Sequence, residues 1–398
     1  MYISSEKISV IRKKAAETAV VFMSAVLIGA VCGAVGALFA KSIGFVTSLR
    51  EANRFLVYLL PFGGLVSVGL YKLSKTEGVG TIRVLESARG EKKTPVLLLP
   101  VIFVASVITH LFGGSAGKEG AALQIGGAVA EAFSKIFRAD EEKHRINILC
   151  GMAALFSAVF GTPVGACVFA LEVVYSGKIL MSAAIPAFIS STAAHFISVG
   201  MGVAPERFEV DAVPDFGIMI FLKTLAVAVI VAIVSEAFCF SLHHGEKLFE
   251  KIFRNPFIRI FVGGCVIIVL TLVFGTDYNG GGIGIIEHIF EDGAVKPEAF
   301  ILKFIFTVIT VSAGYRGGEI VPSLFIGSTL GGTLSPILGL PPEFGAATGM
   351  IAFFSGVTNC PLASAVISIE LFGIEGFIYF AVAALVARLV STKKSLYN

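Results

Sequence analysis

GMAALFSAVFGTPVGACVFALE, residues 151–172, aligns without a gap with GMIAFFSGVTNCPLASAVISIE, residues 349–370. Both segments begin with Gly-Met, carry Phe-Ser five residues later and Pro at the thirteenth position, and end in Glu. Apolar segments share some residues by chance, but apolar composition does not explain the matching Gly, Pro and Glu positions. The alignment therefore predicts a chain built from two copies of one plan.

Two further pairs of segments extend this repeat. EGVGTIRVLES at 77–87 resembles NGGGIGIIEHI at 279–289, and GGSAGKEGAALQIGG at 113–127 resembles AGYRGGEIVPSLFIG at 313–327. Each half thus contains a Gly-rich loop, an apolar segment, a second Gly-rich loop with Glu, and then the Gly–Pro–Glu segment.

The composition indicates a membrane protein. Of 398 residues, 56% are hydrophobic and only 15% are charged, whereas soluble domains have about 25% charged residues. Several apolar blocks reach the roughly 20 residues that span a hydrocarbon core, and others are short or interrupted by Gly or Pro, which is typical of helices that end within the membrane. The blocks lie at residues 19–40, 55–73, 96–112, 179–201, 218–240, 261–274, 300–311, 345–372 and 377–390. Strand-like alternation is absent, so we expect an all-α integral membrane protein.

The distribution of charge predicts the orientation of the two copies. Basic residues cluster near both ends of the chain, and acidic residues cluster at 205–216 and 287–295. The positive-inside rule then places both termini in the cytoplasm and the central acidic linker outside the cell membrane. Each half therefore crosses an odd number of times, and the two copies are inverted relative to each other. The net charge of +3 is too small to indicate a nucleic-acid partner.

Four segments follow from this topology. We expect a cytoplasmic N-terminal segment at 1–16, a first membrane repeat at 17–205, an extracellular linker at 206–216, and a second, inverted repeat at 217–398 that ends in a short site-forming helix. The N-terminal apolar stretch has no small-residue cleavage site, which favours a membrane helix over a removed signal peptide. Inverted repeats are typical of transporters, whose substrate sites lie between the halves at broken helix ends.

Nucleotide, metal and enzyme sites are disfavoured. A phosphate-binding GxxxxGK[ST] loop would need Gly and Ser or Thr where Phe112 and Glu119 stand. The six cysteines and six histidines are scattered, and no CxxC pair occurs. We therefore expect no metal, disulfide or cofactor. A membrane-embedded enzyme would need clustered His, Cys or Asp, and the sequence lacks such clusters.

The Gly-rich loops instead predict a site for a small anion. A glycine-rich turn that opens a helix presents unpaired N–H groups, and the helix dipole adds about half a positive charge there. The candidate helix starts are residues 78–80, 117–120 and 317–320, and Lys118 adds positive field near the entrance. Glu119 has two interpretations: a cap that stabilises its helix, or a tethered anion that occupies the site when ionised and leaves it when protonated. The second would make Glu119 both a gate and a proton carrier, and we favour it.

These residues resemble the CLC family of chloride channels and proton-coupled anion exchangers over nearly the whole chain. GKEGA at 117–121 is similar to the family's G[KR]EGP, which implies that Glu119 is the gating glutamate. GEIVP at 318–322 resembles GxFxP, with Ile320 at the usual Phe, and Tyr397 matches the central tyrosine whose hydroxyl donates to the anion. The resemblance implies a CLC-type inverted-repeat fold with tilted and broken helices, and a homodimer with one anion path per subunit. The candidate anion-binding residues are Gly78, Val79, Gly80, Gly117, Lys118, Gly120, Glu319, Ile320 and Tyr397.

Three departures from the family pattern leave ion and mechanism open. Val79, or Gly78 after a shift of one residue, stands where a chloride-binding serine is expected. Val173 stands where exchangers often carry an intracellular proton glutamate, just after Glu172. Glu319 places a carboxyl group inside the second anion loop, a feature resembling the fluoride-exporting branch.

The functional expectation is transport of chloride or a similar small anion, by a channel or an anion/proton antiporter gated by Glu119. The alternative is a fluoride/proton antiporter of the same family, favoured by the missing serine and by Glu319. Expected partners are the anion, protons in the coupled case, membrane lipid and a second copy of the chain.

Overall fold

A computed structural model describes residues 5–175, 180–391 and 395–397, without the side chains of residues 5–17 and 175. Within these ranges the chain forms sixteen α-helices and one 3-10 helix (Arg54–Leu59), and no strand. The helices are α1 (Ser5–Ala52), α2 (Leu60–Leu73), α3 (Thr81–Arg89), α4 (Leu98–Leu111), α5 (Glu119–Ile136), α6 (Glu141–Phe160), α7 (Pro163–Tyr175), α8 (Met181–Gly200), α9 (Ile218–Ile252), α10 (Pro256–Phe274), α11 (Ile283–Asp292), α12 (Ala299–Ala313), α13 (Ile320–Ile337), α14 (Pro342–Thr358), α15 (Pro361–Phe372) and α16 (Phe377–Val390). The predicted all-α class is confirmed.

The fold contains both long and short helices, as the apolar blocks predicted. In the described part of the chain, six helical stretches are long and apolar enough to cross a membrane: Thr18–Ala52, Arg54–Leu73, Met181–Gly200, Ile218–Ile252, Pro256–Phe274 and Ile320–Ile337. The block at 345–372 is not one helix but parts of two, α14 and α15, because Asn359 adopts a left-handed conformation (φ 59°) and Pro361 starts a new helix.

The sequence repeat corresponds to a repeated helix–break–helix unit. In the first half, Gly161 (φ 87°) ends α6 and Pro163 begins α7. In the second half Asn359 and Pro361 do the same between α14 and α15. A left-handed residue ends a helix readily when it is Gly or Asn, and Pro fits the first helical turn because its missing N–H has no partner there.

The two carboxylates that end the repeated segments cap each other's helices. Glu172 of α7 accepts hydrogen bonds from the N–H groups of Leu362 (3.2 Å) and Ala363 (2.8 Å) at the start of α15. Glu370 of α15 accepts from the N–H groups of Val164 (3.0 Å) and Gly165 (2.7 Å) at the start of α7. Each negative charge thus sits on the positive end of the other half's helix, and Glu172 serves as a structural carboxylate.

Two features of the predicted domain plan concern the chain ends. The backbone of residues 5–16, predicted as a separate cytoplasmic segment, continues α1 without interruption. The predicted C-terminal helix lies partly outside the described residues, which omit 392–394 and 398, and residues 395–397 form a turn. The N–H of Leu396 donates to the carbonyl of Val357 in α14 (2.8 Å), so this turn is tied to the core.

Candidate functional site

The starts of α5 and α13 meet head to head inside the protein. The N–H of Gly117 donates to the carbonyl of Gly318 (2.6 Å), and the N–H of Gly318 donates to the carbonyl of Gly117 (2.7 Å). This antiparallel bridge joins the two Gly-rich loops of the repeat. Because both helices point their N-termini at the bridge, two positive dipole ends face one region.

Glycine is required for this approach. A Cβ added to Gly120 would lie 2.7 Å from the Cα of Gly318, far inside van der Waals contact. On the other loop, a Cβ on Gly318 would collide with the N–H of Gly120. The glycines therefore bring the two backbones together, in addition to the role in exposing N–H groups that the sequence predicted. The N–H groups of Gly117 and Gly318 are used in the bridge itself.

Glu119 lies at the first position of α5 with a fully buried side chain. Its Oε2 accepts a hydrogen bond from the N–H of Lys118 (3.0 Å), while Oε1 has no hydrogen-bond partner among the described residues. A carboxylate held by a backbone N–H at a helix start occupies the type of position that a bound anion would take. The geometry is compatible with the tethered-anion interpretation of Glu119, which stays a prediction.

Lys118 forms an ion pair with an acidic residue of the linker. Its Nζ lies 3.1 Å from Oε1 of Glu206, and both side chains are mostly buried (18% and 15% exposed). Glu206 belongs to the acidic linker between the halves, and its pairing with Lys118 was not predicted from sequence. The side chain of Lys118 therefore connects the start of α5 to the linker.

Glu319 precedes the first residue of α13 and lies beside the bridge. Its Oε2 would be 3.4 Å from a Cβ added to Gly120, which places it against the start of α5. Ile320 is fully buried next to it. The structure thus brings six of the predicted site residues into one cluster: Gly117, Lys118, Glu119, Gly120, Glu319 and Ile320.

Tyr397 reaches the same cluster from the end of the chain. Its side chain is 4% exposed, and its hydroxyl has no hydrogen-bond partner within the described ranges. The hydroxyl interacts electrostatically with Glu319 and Glu119. A buried hydroxyl without an acceptor requires an explanation, and an anion between the two loops would be such an acceptor.

The third predicted loop, at Gly78–Val79–Gly80, opens α3. The side chain of Val79 is buried (6% exposed), and this loop offers no hydroxyl at the position discussed for serine. Thr81 follows at the first position of α3, and its Oγ1 accepts a hydrogen bond from Nε2 of Gln124 (3.1 Å). Gln124 lies on α5, so this contact links the start of α3 to the helix of Glu119. Thr81 and Gln124 were not predicted as site residues from the sequence.

A cavity of about 1190 Å³ leads to the start of α5. Its walls come from α1, the linker, the loop before α11 and α11 itself, and Gly117 and Lys118 lie on its lining. Asp277 and Lys296 form an exposed ion pair at its rim (2.7 Å), and this pairing raises the pKa of Lys296. The cavity therefore reaches the residues just before Glu119 from the side of the linker.

Two buried cations next to this cavity were not among the predicted site residues. The side chain of Arg50 is 8% exposed, and that of Lys303 is fully buried. Lys303 is the one charged residue in the apolar block at 300–311, and an ionisable residue inside such a block indicates a functional position. That signal was available in the sequence.

Known proteins resemble this chain over nearly its full length. The family model described as "Voltage gated chloride channel" matches residues 62–392. A "Chloride/fluoride channel protein" from Pseudomonas syringae pv. tomato is 30% identical over 381 residues, covering 94% of this chain and 84% of that protein. The "H(+)/Cl(-) exchange transporter ClcA" of Vibrio cholerae is 25% identical over 390 residues, covering 88% of this chain and 81% of the relative.

Solved structures give the same result for the fold. The crystal structure of a CLC-type fluoride/proton antiporter superimposes with a TM-score of 0.91 at 30% identity, covering 100% of this chain and 98% of the other. A slow cyanobacterial Cl⁻/H⁺ antiporter gives a TM-score of 0.81 at 20% identity, covering 95% and 96% of the two chains, which is evidence for the fold alone. The predicted family resemblance and CLC-type fold are confirmed.

Proposed function

Because the chain belongs to the voltage gated chloride channel family, we propose that it is a fluoride/proton antiporter in which Glu119 is the gate. Transport of small anions across a membrane by a CLC-type protein is the family's activity, and it agrees with the function predicted from sequence. The choice of fluoride over chloride, and of coupled exchange over a channel, is the proposal.

The observation that carries the choice of ion is the pair of carboxyl groups on the two bridged loops. Glu119 and Glu319 lie on either side of the Gly117–Gly318 bridge, where a bound anion would otherwise meet only helix N-termini. An ionised carboxylate there repels an anion, whereas a protonated one donates a hydrogen bond to it. Fluoride is small and a strong acceptor, so it gains more from such a donor than chloride does. Similarity at 30% identity to a chloride/fluoride channel protein and to a fluoride/proton antiporter supports the same choice.

Glu119 would couple the two ions by competition for one place. When ionised, its carboxylate occupies the N–H at the start of α5, as the contact with Lys118 suggests. When protonated, it loses most of its attraction to the positive helix end and yields the place to fluoride. Fluoride and the proton on Glu119 would then travel in opposite directions in each cycle, because an ionised Glu119 and a bound fluoride exclude each other.

The other predicted residues would form the wall around the anion. Free N–H groups in the first turn of α5, at Gly120, and at Ile320 of α13 are donors at a positive helix end. The unpartnered hydroxyl of Tyr397 would donate from the opposite side. The loop at 78–80 would contribute backbone N–H groups but no side-chain hydroxyl. Such a loop favours neither chloride-specific coordination nor the binding of a larger anion.

We further propose a homodimer in the cell membrane with both termini in the cytoplasm and the linker outside. The family resemblance supports a dimer contact near the α6–α7 and α14–α15 segments. Val164 and Leu362, at matching positions of the repeat, are 41% and 52% exposed and would pack against the partner. Cross-linking of single-cysteine variants at these positions in membranes tests the contact, and monomeric migration after cross-linking would contradict it.

Efflux from liposomes tests the function. Purified protein is reconstituted in vesicles loaded with fluoride or chloride, and anion and proton fluxes are followed together. We expect fluoride efflux far faster than chloride efflux, with proton movement in the opposite direction. Chloride efflux that equals or exceeds fluoride efflux, with protons still coupled, would instead assign the chloride/proton exchange found in the relatives at 25% identity. Anion flux without proton movement would indicate a channel.

A further inference from the structure

Lys303 is a buried cation that the mechanism above does not use. Its side chain is fully buried on α12, and its Nζ donates to the carbonyls of Gly280 (2.6 Å) and Tyr278 (3.2 Å). The ammonium also lies 5.2 Å from the ring centre of Phe325. In the described ranges no carboxylate forms an ion pair with it. A buried ammonium without a counter-charge is costly, so its presence requires a compensating interaction.

Arg50 supports the same loop from the other side. A Cβ added to Gly280 would lie 2.8 Å from Nη1 of Arg50, so the guanidinium rests on the backbone of that residue. Nη1 donates to the carbonyl of His110 (2.9 Å), and Nη2 forms an ion pair with Glu51 (3.4 Å), whose side chain is 67% exposed to water and so compensates the charge only weakly. Unlike Lys303, Arg50 lines the cavity. Two cations thus flank the short loop before α11.

This loop ends in the free N-terminus of α11. Gly280 (φ 61°) and Gly282 (φ 87°) adopt left-handed conformations that turn the chain into the helix. The N–H groups of Gly281, Gly282, Ile283 and Gly284 find no acceptor among the described residues, and all four residues line the cavity. Residues 279–289 are also the repeat mate of 77–87, whose glycines form a predicted anion loop in the first half.

Charges around the cavity are separated by depth. Asp277, Glu287 and Asp292 are exposed at the rim, and Asp277 is already paired with Lys296. Glu206, which is mostly buried, is paired with Lys118. Positive charge without a buried partner therefore remains at the floor, which we define as Arg50, Lys303 and residues 280–284.

We propose that this cavity floor is a second small-anion site, separate from the site at Glu119, that takes one monovalent halide from the outer solution. Arg50 and the N–H groups of α11 contact the anion, and Lys303 acts through its charge from beneath the loop. The anion supplies the counter-charge that Lys303 lacks. As the outer end of a transport path, the site rests on the proposed anion transport; as a binding site it does not depend on which halide is carried.

Calorimetric titration of the purified protein with sodium fluoride and with sodium chloride tests the site. We expect two binding events in the wild type. In Lys303→Met, which keeps a similar side-chain length without the charge, one event weakens by at least about tenfold, and Lys303→Arg restores it. In flux assays Lys303→Met raises the KM for the anion and leaves kcat near the wild-type value.

Lys296→Met is the matched control, because it removes the same charge from the rim of the same cavity. Its lysine is exposed and paired, so we expect less than about a twofold change in either binding event. Arg50→Gln provides a second test if Lys303→Met does not fold, and it weakens the same event. Two unchanged binding events in Lys303→Met would overturn the proposal, and so would a lower kcat with unchanged KM, because Lys303 would then only clamp the loop.

The same titrations separate this site from the proposed function. If the protein carries no fluoride but Lys303→Met loses one chloride-binding event, the proposed choice of fluoride is wrong and the outer site is supported. If the protein exchanges fluoride for protons and both binding events are unchanged in Lys303→Met, only the proposal of an outer site is wrong.

Discussion

The loops before α5 and α13 are copies of one plan with different outcomes. Both place a glutamate at a helix start, and each donates one N–H to the other across the Gly117–Gly318 bridge. In the first copy the carboxylate of Glu119 is fully buried and bound to the N–H of Lys118. In the second, Glu319 remains partly exposed, and Pro322 removes one N–H from the first turn of α13.

This difference assigns a movable role to one copy and a fixed role to the other. In the proposed mechanism the carboxylate of Glu119 occupies the place of the anion, so its protonation would change the occupancy of the site. Glu319 lies beside the bridge with a partly exposed side chain, and its neighbours are Ile320, Val321 and Pro322 of the first turn of α13. The inverted repeat supplies two positive helix ends, and the local differences between them are the reason for proposing Glu119 rather than Glu319 as the gate.

Breaking the bridge has the largest expected effect. In Gly318→Ala the new Cβ collides with the N–H of Gly120, so the two helix starts must separate. We expect a loss of stability of about 1–3 kcal/mol and a fall in anion flux of about 100-fold, since displacement of binding groups by an ångström has effects of that size. Thermal unfolding in detergent and liposome flux measure both. Gly69→Ala, a helical glycine with open space around it, is the control; normal flux in Gly318→Ala would refute the role of the bridge.

Removing the movable carboxylate separates the two ions. In Glu119→Ala the N–H groups at the start of α5 stay free for an anion, but no group carries the proton. We expect proton flux to fall to background while anion flux persists. The measurement is proton uptake driven by an anion gradient in liposomes. Intact proton pumping in this variant would disprove the tethered gate.

Removing the fixed carboxylate changes the choice of anion. In Glu319→Ala the site loses a donor that fluoride uses better than chloride, so the ratio of fluoride to chloride flux should fall by about tenfold, the value of one hydrogen bond to an ion. Glu319→Gln keeps a donor and should retain most of the preference. If both variants match the wild-type ratio, Glu319 has no part in selecting the ion.

The smallest expected effect concerns Lys118. This lysine occurs only in the first copy, where it pairs with the mostly buried Glu206. Glu206→Gln releases Lys118 from its ion pair, and the freed ammonium attracts anions to the entrance. We expect the KM for the outer anion to fall by about two- to threefold at low salt and the effect to shrink at 1 M salt. Glu209→Gln, an exposed change in the same linker, is the control. A higher KM in Glu206→Gln would mean that the pair supports the site.

Local features of the fold were predictable from sequence, because short-range backbone preferences determine them. The aligned Gly-Met, Phe-Ser, Pro and Glu positions at 151–172 and 349–370 predicted matching halves, and both halves break a helix just before the aligned Pro. The apolar block at 345–372 did not indicate where the helix within it ends. Its composition is apolar throughout, and the left-handed Asn359 was not recognised as the end of a helix.

Contacts between distant residues were not predictable in the same way. The loop glycines and Glu119 could be selected from their pattern, but the Lys118–Glu206 pair joins residues 88 positions apart and Asn279 reaches Gly113 across 166. No local pattern marks such partners. Lys303 is different, because its position inside an apolar block was visible in the sequence. Only its hydrogen-bond partners required the structure.

The exchanged caps of Glu172 and Glu370 bear on the ancestry of the molecule. Each half completes a helix of the other with the same residue at the same position, which is the form of an isologous contact between identical subunits. Such a contact could already have joined two separate chains of opposite orientation before they were fused into one. Its persistence makes the halves mutually dependent for folding: either half alone would bury a carboxylate without donors and leave a helix start uncapped.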